Sequence, residues 1–569
     1  MLDLYGRIKY SNTLTIFTYP IIYEVAMFRP TSTQSSLFEA DYYFSGILSK
    51  DDWSFVFKER VLPLIDEEKF RHLYSETEGR PNASIRTMIS LLIFMGNEKL
   101  TWRAGEYLFP RRIDWLIATC TPMGEAQIDH TTLFKFFQLL EKDDSCQEMF
   151  VEITDAFIKA CGTSVKMQRT DSFYIHGWLR TLSRYGLFKE TIRKFLQSLG
   201  KQKPGLYESI KGQLSREYLG NDFDITEKDK ELAQRKVALM AKDLYILHCA
   251  FENHDQIKHY ETFKILSKVF IQQCEVKDTS GADPEIIIKE KPDKDTICTP
   301  HNPEARYVRK VKQRVTGDKA FVTETCSSEN KTQFITDVEL LPATASDSDQ
   351  QPEIQQRLID NNFKPEKQYG DAGFVNGKTI LKSEENGISL EGPSAGRSQS
   401  FEAYEQKDRP LDAGDFDISF DEQTRELCVN KCPNGQVSIE QNRSEKTGKI
   451  IVHFDVSVCR ACPKSERCPG KIGKRVATFT IDETGYTGAA RHCKYMSDKE
   501  YRKECATRAG VEGTVSELTR AHGVRKSRHR DRNRTSLQLI FAVLACNVKR
   551  FIRHGQQYGY LEPAVQGCC

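Results

Sequence analysis

An α/β fold, preceded by an all-α N-terminal domain and interrupted by two insertions, is predicted by three observations. Residues 50–160 read as almost continuous helix, strand-like and helical runs alternate after residue 161, and the segment 395–505 is polar, cysteine-bearing and poor in helical periodicity. At 569 residues the chain is too long for one compact core, and a length prior gives roughly three or four structural units. Hydrophobic content of 39%, charged content of 28% and a net charge of +2 exclude a disordered chain and a uniformly basic one. Any contact with a polyanion must therefore come from local patches.

Residues 1–49 form an N-terminal extension. Its apolar stretch 14–28 is interrupted by Thr18, Pro20 and Glu24, and no small-residue cleavage site follows, so it reads as neither signal peptide nor membrane span. Met27-Phe-Arg-Pro reads like a protein start, which leaves Met1 and Met27 as alternative initiators and residues 1–26 as an upstream extension. Seventeen cysteines, mostly scattered, fit a reducing cytoplasm better than a disulfide framework.

In the helical domain, 50–160, Pro81-Asn82 precede an apolar face of Ile85, Met88, Ile89, Leu92 and Ile93. Asp129-His-Thr-Thr supply caps ahead of Leu133, Phe136, Phe137 and Leu140. Arg86, Arg103, Arg111 and Arg112 suit either a DNA-docking surface or a solvated face.

The second domain, 161–553, begins with a strand over 165–172. A helical insertion of about 173–304 follows, with helices near 187–199, 230–251 and 260–273 and a Pro-, Asp- and Lys-rich linker over 277–304. Strands over 319–326 and 333–341 flank the turn Ser327-Ser-Glu-Asn330, which predicts a hairpin. A helix over 351–361, a strand ending at Asp371, a helix from Asn376 and a strand over 387–390 complete the order. Strand, hairpin, helix, strand, helix and strand match a sheet of the RNase H type, once the helical block is treated as an insertion. A cysteine-bearing insertion occupies about 395–505. Beyond it come a helix with the stripe Val511, Val515, Leu518, stopped by Gly523, and a core helix with Leu537, Ile540, Phe541, Leu544, Val548 and Phe551. Residues 554–569 are a C-terminal tail.

Three acids stand out in this frame: Asp171 in Gln168-Arg-Thr-Asp-Ser172, Asp371 in Tyr369-Gly-Asp-Ala-Gly-Phe374, and Glu512 in Arg508-Ala-Gly-Val-Glu-Gly-Thr514. Carboxylates that converge repel one another unless a cation is present, which points to Mg²⁺-dependent phosphoryl transfer. Asp171 and Asp371 also suit caps or turns, Glu512 also suits a solvated surface, and Glu517 is a competing ligand on the same helix.

Cys428-x3-Cys432 and Cys459-x2-Cys462, with Cys468 shortly after, offer four of five thiolates to a structural Zn²⁺ in a segment with few other core-forming residues. From Arg520 to Arg534 seven basic residues, Arg520, Arg525, Lys526, Arg528, Arg530, Arg532 and Arg534, face one acid, Asp531. That run is the strongest local polyanion signal, beside Glu512.

Several of these stretches, in order, resemble the DDE transposases of bacterial insertion sequences, in particular the group with a helical N-terminal domain and a cysteine-bearing insertion. They are Arg169-Thr-Asp-Ser172, Ala305-Arg306, Gly317 with Thr323-Glu-Thr325, Leu341-Pro-Ala-Thr344, Asp371-Ala-Gly373, and Arg508 ahead of Glu512. The resemblance runs from about residue 36 to about residue 553. It implies that Asp171, Asp371 and Glu512 hold two Mg²⁺ (or Mn²⁺) ions, with Asp171 bridging both, and that Arg508 contacts a phosphate or orients Glu512. It also implies a cytoplasmic, nucleoid-associated homo-oligomer that binds double-stranded element ends and target DNA, with no membrane partner. The sequence departs from the family pattern at Cys505, where a tyrosine is usual, and at Thr519, where a basic residue is usual, although Tyr501 and Arg520 lie close by. A catalytically silent DNA-binding derivative and a nuclease of the same fold without strand joining are the alternatives.

Overall fold

The computed structural model describes residues 27–31, 40–44, 46–49, 51–141, 143–178, 182–220, 227, 229–277, 284–290, 296–310, 313–398, 400–421, 424 and 426–561. The reading of residues 1–26 as an upstream extension lies outside the described residues, as do most of the 14–28 stretch and the last residues of the tail.

The architecture is mixed α/β. In the N-terminal part, helices Ile85–Glu98 and His130–Leu140 form where their apolar stripes predict. The first is capped by Ser84, which accepts the Thr87 amide, and the second by Asp129, which accepts the amides of Thr131 and Thr132. Of the arginines there, Arg112 is spent on Asp114 and Glu98, Arg86 bonds the Ile65 carbonyl and Arg111 the Tyr107 carbonyl.

The strands in chain order are β1 (Met167–His176), β2 (Cys274–Lys277), β3 (Glu285–Ile288), β4 (Arg306–Lys310), β5 (Gln313–Thr325), β6 (Ile335–Pro342), β7 (Lys367–Tyr369) and β8 (Ser389–Glu391). Six of them make one sheet. β5 pairs along one edge with β1 and along the other with β4 and β6, all antiparallel, while β7 joins the far side of β1 and β8 joins β7, both parallel. β5 thus runs against all its sheet mates.

Burial along β1 alternates at Gln168 and Thr170, slips at Asp171 and Ser172, and resumes at Phe173 and Ile175. The strand passes from one covered face to the other at the carboxylate, which leaves that side chain at an opening. Buried amides fix the register there. Gln368 of β7 donates to Thr170 and accepts from Gln351 and Gln355, and Thr170 shares a hydrogen bond with Thr323 of β5.

The helix Arg532–Tyr558 packs on β6 and on helices Ile85–Glu98 and Ser145–Cys161, so the N-terminal helices and the sheet share one apolar core. It is long and apolar enough to cross a membrane, but 78% of its most apolar window is buried within the protein. Inside it, Asn547 pairs like a strand with the amide and carbonyl of Ile335.

The helical insertion has its own core, built from Arg184–Gln202, Lys230–Phe251 and Glu261–Gln273. The stretch predicted as a linker differs: β3 pairs with β2, and Ile297 is buried in that same core. The cysteine-bearing insertion carries β9 (Asp417–Asp421), β10 (Glu426–Lys431), β11 (Glu440–Arg443), β12 (Ile450–Asp455), β13 (Lys471–Ile472) and β14 (Val476–Ile481), around a core of eight buried residues. It ends in two helices where no helical periodicity was expected, Glu483–Ser497 and Lys499–Cys505. The first buries only His492 fully; its stripe of Tyr486, Ala489, Cys493 and Met496 is half-buried and broken by Gly485 and Gly488, a weak signal in the sequence.

Phe551 stacks on Phe157 with centroids 4.1 Å apart, joining the last helix to Ser145–Cys161. Phe551→Ala is expected to cost about 3–5 kcal/mol, read as a drop in the denaturant midpoint of the main unfolding transition.

Candidate active site

Asp171 sits mid-strand on β1, opposite Val322 of β5, with its side chain 18% exposed. Asp371 follows β7 by two residues, and its carboxylate accepts the Gly373 amide at 2.7 Å, so it closes a turn as well as facing Asp171. A fourth acid, which the sequence reading missed, joins them. Asp347 opens the helix Asp347–Asp360 and accepts from Ser172 Oγ at 2.8 Å, while Lys319 Nζ lies 2.7 Å from the same oxygen. A Cβ at Gly373 would lie 2.9 Å from Asp371 Oδ1 and 3.0 Å from Asp347 Oδ2, so the two carboxylates flank one spot that glycine keeps open. In the sequence Asp347 looks like an ordinary N-terminal helix acid.

Burial pushes the Asp171 carboxyl up to about 6, aided by the charges of Asp371 and Asp347; the Ser172 amide and Arg508 only partly offset this. Arg508 reaches both ways from the 3₁₀ turn Ala506–Ala509, to Asp171 at 3.8 Å and to Glu512 at 3.5 Å. Glu512 lies on Gly510–Arg520 with its side chain 65% exposed. Asp171 and Asp371 are thus brought together, and Glu512 joins them through a shared guanidinium.

Glu324 holds the two elements in place. This fully buried acid on β5 receives Arg169 of β1, Arg550 of the last helix and Thr514 Oγ1 of the Glu512 helix, the last at 2.6 Å. Arg169 also donates to the Thr507 carbonyl at 2.9 Å, and a Cβ at Gly510 would strike its guanidinium. Alternating polar residues along a strand read as a solvated face, which hides such a network in the sequence.

Glu517, predicted as a competing ligand, is engaged elsewhere. Despite its burial, Lys549 at 2.6 Å and Arg550 at 3.1 Å hold its carboxyl down at about 2. Among the described residues, Glu517, His522 and Cys546 place ligand atoms within 4.8 Å of one another. Two cations already neutralise that carboxylate, so the trio reads as an internal polar network, not as a cation site.

The basic run is split. Arg532 pairs with Asp318 at 2.8 Å and Arg534 with Glu141 at 2.7 Å, so these two of the predicted DNA contacts meet acids of the fold and anchor the last helix. Arg520, Arg525, Lys526, Arg528 and Arg530 remain on the surface; Arg528 donates to the carbonyls of Lys99 and Leu100, and Lys526 lies over Trp178.

The cysteines sort by strand alternation. Leu427 and Val429 of β10 are buried, so Cys428 between them faces outward, where Gln441 bonds its sulfur; it leaves the predicted ligand set. Cys432, Cys459, Cys462 and Cys468 line one cavity of ≈ 40 Å³ with Phe416, Phe454 and Phe479. The amides of Lys464 and Gly470 point at the sulfurs of Cys462 and Cys468, both at 3.4 Å, a geometry that favours thiolates. Burial and the neighbouring thiols raise Cys459 and Cys468 as long as no cation is present.

Two family comparisons match the chain: the Transposase DDE domain over residues 431–552 and the Transposase domain (DUF772) over residues 47–139. The first spans Glu512 and the four clustered cysteines, and the second covers most of the N-terminal helices. No curated protein and no solved structure matches the chain.

A raised carboxyl is a cost to the folded protein once the group ionises. Its contribution is favourable below the unfolded-state pKa and is lost as the pH rises through about 6. In metal-free buffer Asp171→Asn is therefore expected to raise the melting temperature at pH 7.5, by the equivalent of up to about 3 kcal/mol, and to leave it unchanged near pH 3. Thermal scans of both proteins at the two pH values check this.

Proposed function

We propose that this chain, whose two matched segments support a DDE transposase of an insertion sequence, binds the ends of its element and cuts and joins DNA at the Asp171, Asp371 and Glu512 site. One observation carries the reading: a buried, charge-frustrated Asp171 faces Asp371 where two strands of one sheet open to solvent. The strand order, with β5 alone reversed, supports an RNase H-like core, with the two insertions following β1 and β8.

The donor set fits a hard divalent cation, because Asp171, Asp371 and Asp347 bring surplus negative charge into one region and Lys319 neutralises only Asp347. Asp171, Asp371 and Glu512 would hold two Mg²⁺ (or Mn²⁺) ions, which supply activation of the nucleophile and stabilisation of the leaving oxygen in an in-line displacement at phosphorus. Arg508 makes only long contacts to Asp171 and Glu512, so its guanidinium can turn to a substrate phosphate. Arg520, Arg525, Lys526, Arg528 and Arg530, on the segment after the Glu512 helix, would take the backbone of the element end. Strand transfer between two ends suits a homo-oligomer on DNA in the cytoplasm, at the nucleoid.

The cysteine cavity fits a structural Zn²⁺ held by Cys432, Cys459, Cys462 and Cys468, with Cys428 excluded. A core of eight buried residues is small for an independent unit, and a closed thiolate site would staple it. Purified protein is expected to carry stoichiometric zinc that Cys468→Ser abolishes and Cys428→Ser retains, measured by elemental analysis and by colorimetric release on thiol modification.

The activity test uses duplexes bearing the native element ends. Wild-type protein with Mg²⁺ is expected to nick and join them, and Asp171→Asn to bind with unchanged affinity while cleavage falls to background. Retained cleavage by Asp171→Asn overturns the site. If both proteins bind and neither cuts, the chain is a silent DNA-binding derivative, a reading that the exposure of Glu512 favours. Cleavage without joining would mark a nuclease. Short inverted repeats flanking the coding region are the genomic counterpart of the same prediction.

A further inference from the structure

A second cleft lies within the cysteine-bearing insertion, between its segments 404–411 and 464–467 and the start of the helix Lys499–Cys505. It has a volume of ≈ 530 Å³, and its walls carry Lys407, Arg409, Lys464, Arg467, Lys499 and Arg502 against a single acid, Glu405. The whole chain has a net charge of only +2, so six cations around one concavity is a strong local excess.

How those cations are held matters more than their number. Arg409 is neutralised by Asp415. Lys464, Arg467 and Arg502 instead donate to main-chain carbonyls, of Pro433, Lys407, and Tyr495 with Met496 respectively. Carbonyl contacts fix a cation's position without cancelling its charge, which is how a site pre-organised for an anion is built. Lys407 and Lys499 stand exposed at the rim. Lys464 and Arg467 also lie on the turn between Cys462 and Cys468, and the Lys464 amide points at the Cys462 sulfur, so the cysteine cluster braces the wall of the cleft.

We infer that this cleft binds the sugar–phosphate backbone of double-stranded DNA, as a contact separate from the basic segment after Glu512. The inference rests on the transposase reading for its choice of polyanion. The one aromatic ring in the lining, Tyr404, already carries the Arg409 guanidinium 4.2 Å from its centroid, so lysine and arginine ends held at a distance from one another, with a single occupied ring and no run of rings for stacking bases, suit phosphates of a duplex, not an unstacked single strand. Such contacts position DNA without reading its sequence, so the cleft would contribute equally to element-end and random duplexes.

The test measures equilibrium binding of full-length protein to an element-end duplex and to a random duplex in EDTA, across a salt series. Lys407→Gln/Lys499→Gln removes two exposed rim charges, and Lys407→Glu/Lys499→Glu reverses them. Loss of two phosphate contacts is expected to flatten the log–log salt slope by about 2 for both duplexes, and charge reversal to weaken binding by at least about tenfold at low salt. Arg532→Gln, a structural arginine away from the cleft, serves to show what destabilisation alone does to the slope. Wild-type protein that binds no duplex overturns the transposase reading itself. Wild-type binding with an unchanged slope in both double variants overturns the cleft alone.

Discussion

Glu324 has no exposed surface, yet it is gripped by Arg169 from β1 and Arg550 from the last helix, with Thr514 of the Glu512 helix donating to the same carboxyl group. Arg550 goes on to Glu517, and Glu517 to Lys549, so a chain of alternating charges crosses from the sheet to the C-terminal helix. Burying such a network gains little net stability, because desolvation of each ion offsets most of the attraction. What it does gain is a unique geometry: an Arg169 out of place would leave Glu324 uncompensated in a dry interior. Arg169 lies two residues before Asp171 on the same side of β1, and Thr514 lies two residues after Glu512 on Gly510–Arg520. At helical spacing a two-residue offset turns the side chains to different faces, so anchoring Thr514 inward leaves Glu512 outward, at the edge of the site.

The buried acids around this region show what is unusual about Asp171. Glu517 is depressed to about 2 by two cations, Asp347 has Lys319, Asp337 has a two-pronged contact from Arg357, and Glu324 has two arginines. Asp171 has only Arg508 at 3.8 Å, shared with Glu512, and two acidic neighbours; its carboxyl moves up to about 6. Burial raises Asp318 and Glu339 as well, although Arg532 sits on the first and Arg357 lies 3.8 Å from the second, so a raised carboxyl by itself marks no site; Asp171 stands beside Asp371 and Asp347 at an opening of the sheet, and that combination holds a place for added positive charge. The same logic separates the site from the Glu517, His522 and Cys546 trio, where the positive charge is already present in Lys549 and Arg550.

Much of this was legible in the chain. The order of strands and helices around the sheet follows from short apolar runs bounded by turn residues, and Asp171 and Asp371 stand out because each sits where an apolar run gives way to small or polar residues. Asp347 was not legible, because an acid in the first turn of a helix has an ordinary explanation in the helix dipole. Glu324 was hidden for a related reason: a charged residue in an alternating strand reads as solvent-facing until Arg550, more than two hundred residues away, folds onto it. The spacing of Cys428 and Cys432 looks like two ligands, whereas strand pleat turns Cys428 outward and Cys468 lines the cavity with the other three cysteines. The acidic partners of Arg532 and Arg534 were not legible either, because a basic run does not reveal which members meet acids from distant elements. The family position where a tyrosine is usual holds Cys505, and a buried Tyr501 four residues earlier bonds Glu391 instead.

That Tyr501 contact also explains why the cysteine-bearing insertion behaves as part of the sheet's edge. Glu391 closes β8, the last strand of the sheet, and it takes Tyr501 Oη at 2.6 Å and Arg491 at 3.0 Å, both from the helices that end the insertion. A Cβ at Gly377 would strike the Thr484 carbonyl, so the helix Gly377–Glu385 and the helix Glu483–Ser497 approach at backbone contact. An edge strand with exposed pairing groups invites unwanted association, and covering it with a helix removes that hazard. The chain therefore leaves the sheet at β8, builds the cysteine unit and returns to seal the very edge it left, before Ala506–Ala509 carries it to Arg508 and Glu512. Because the sealing helix Lys499–Cys505 runs directly into that turn, the position of Glu512 depends on the insertion being folded, and the insertion cannot be treated as a removable appendage.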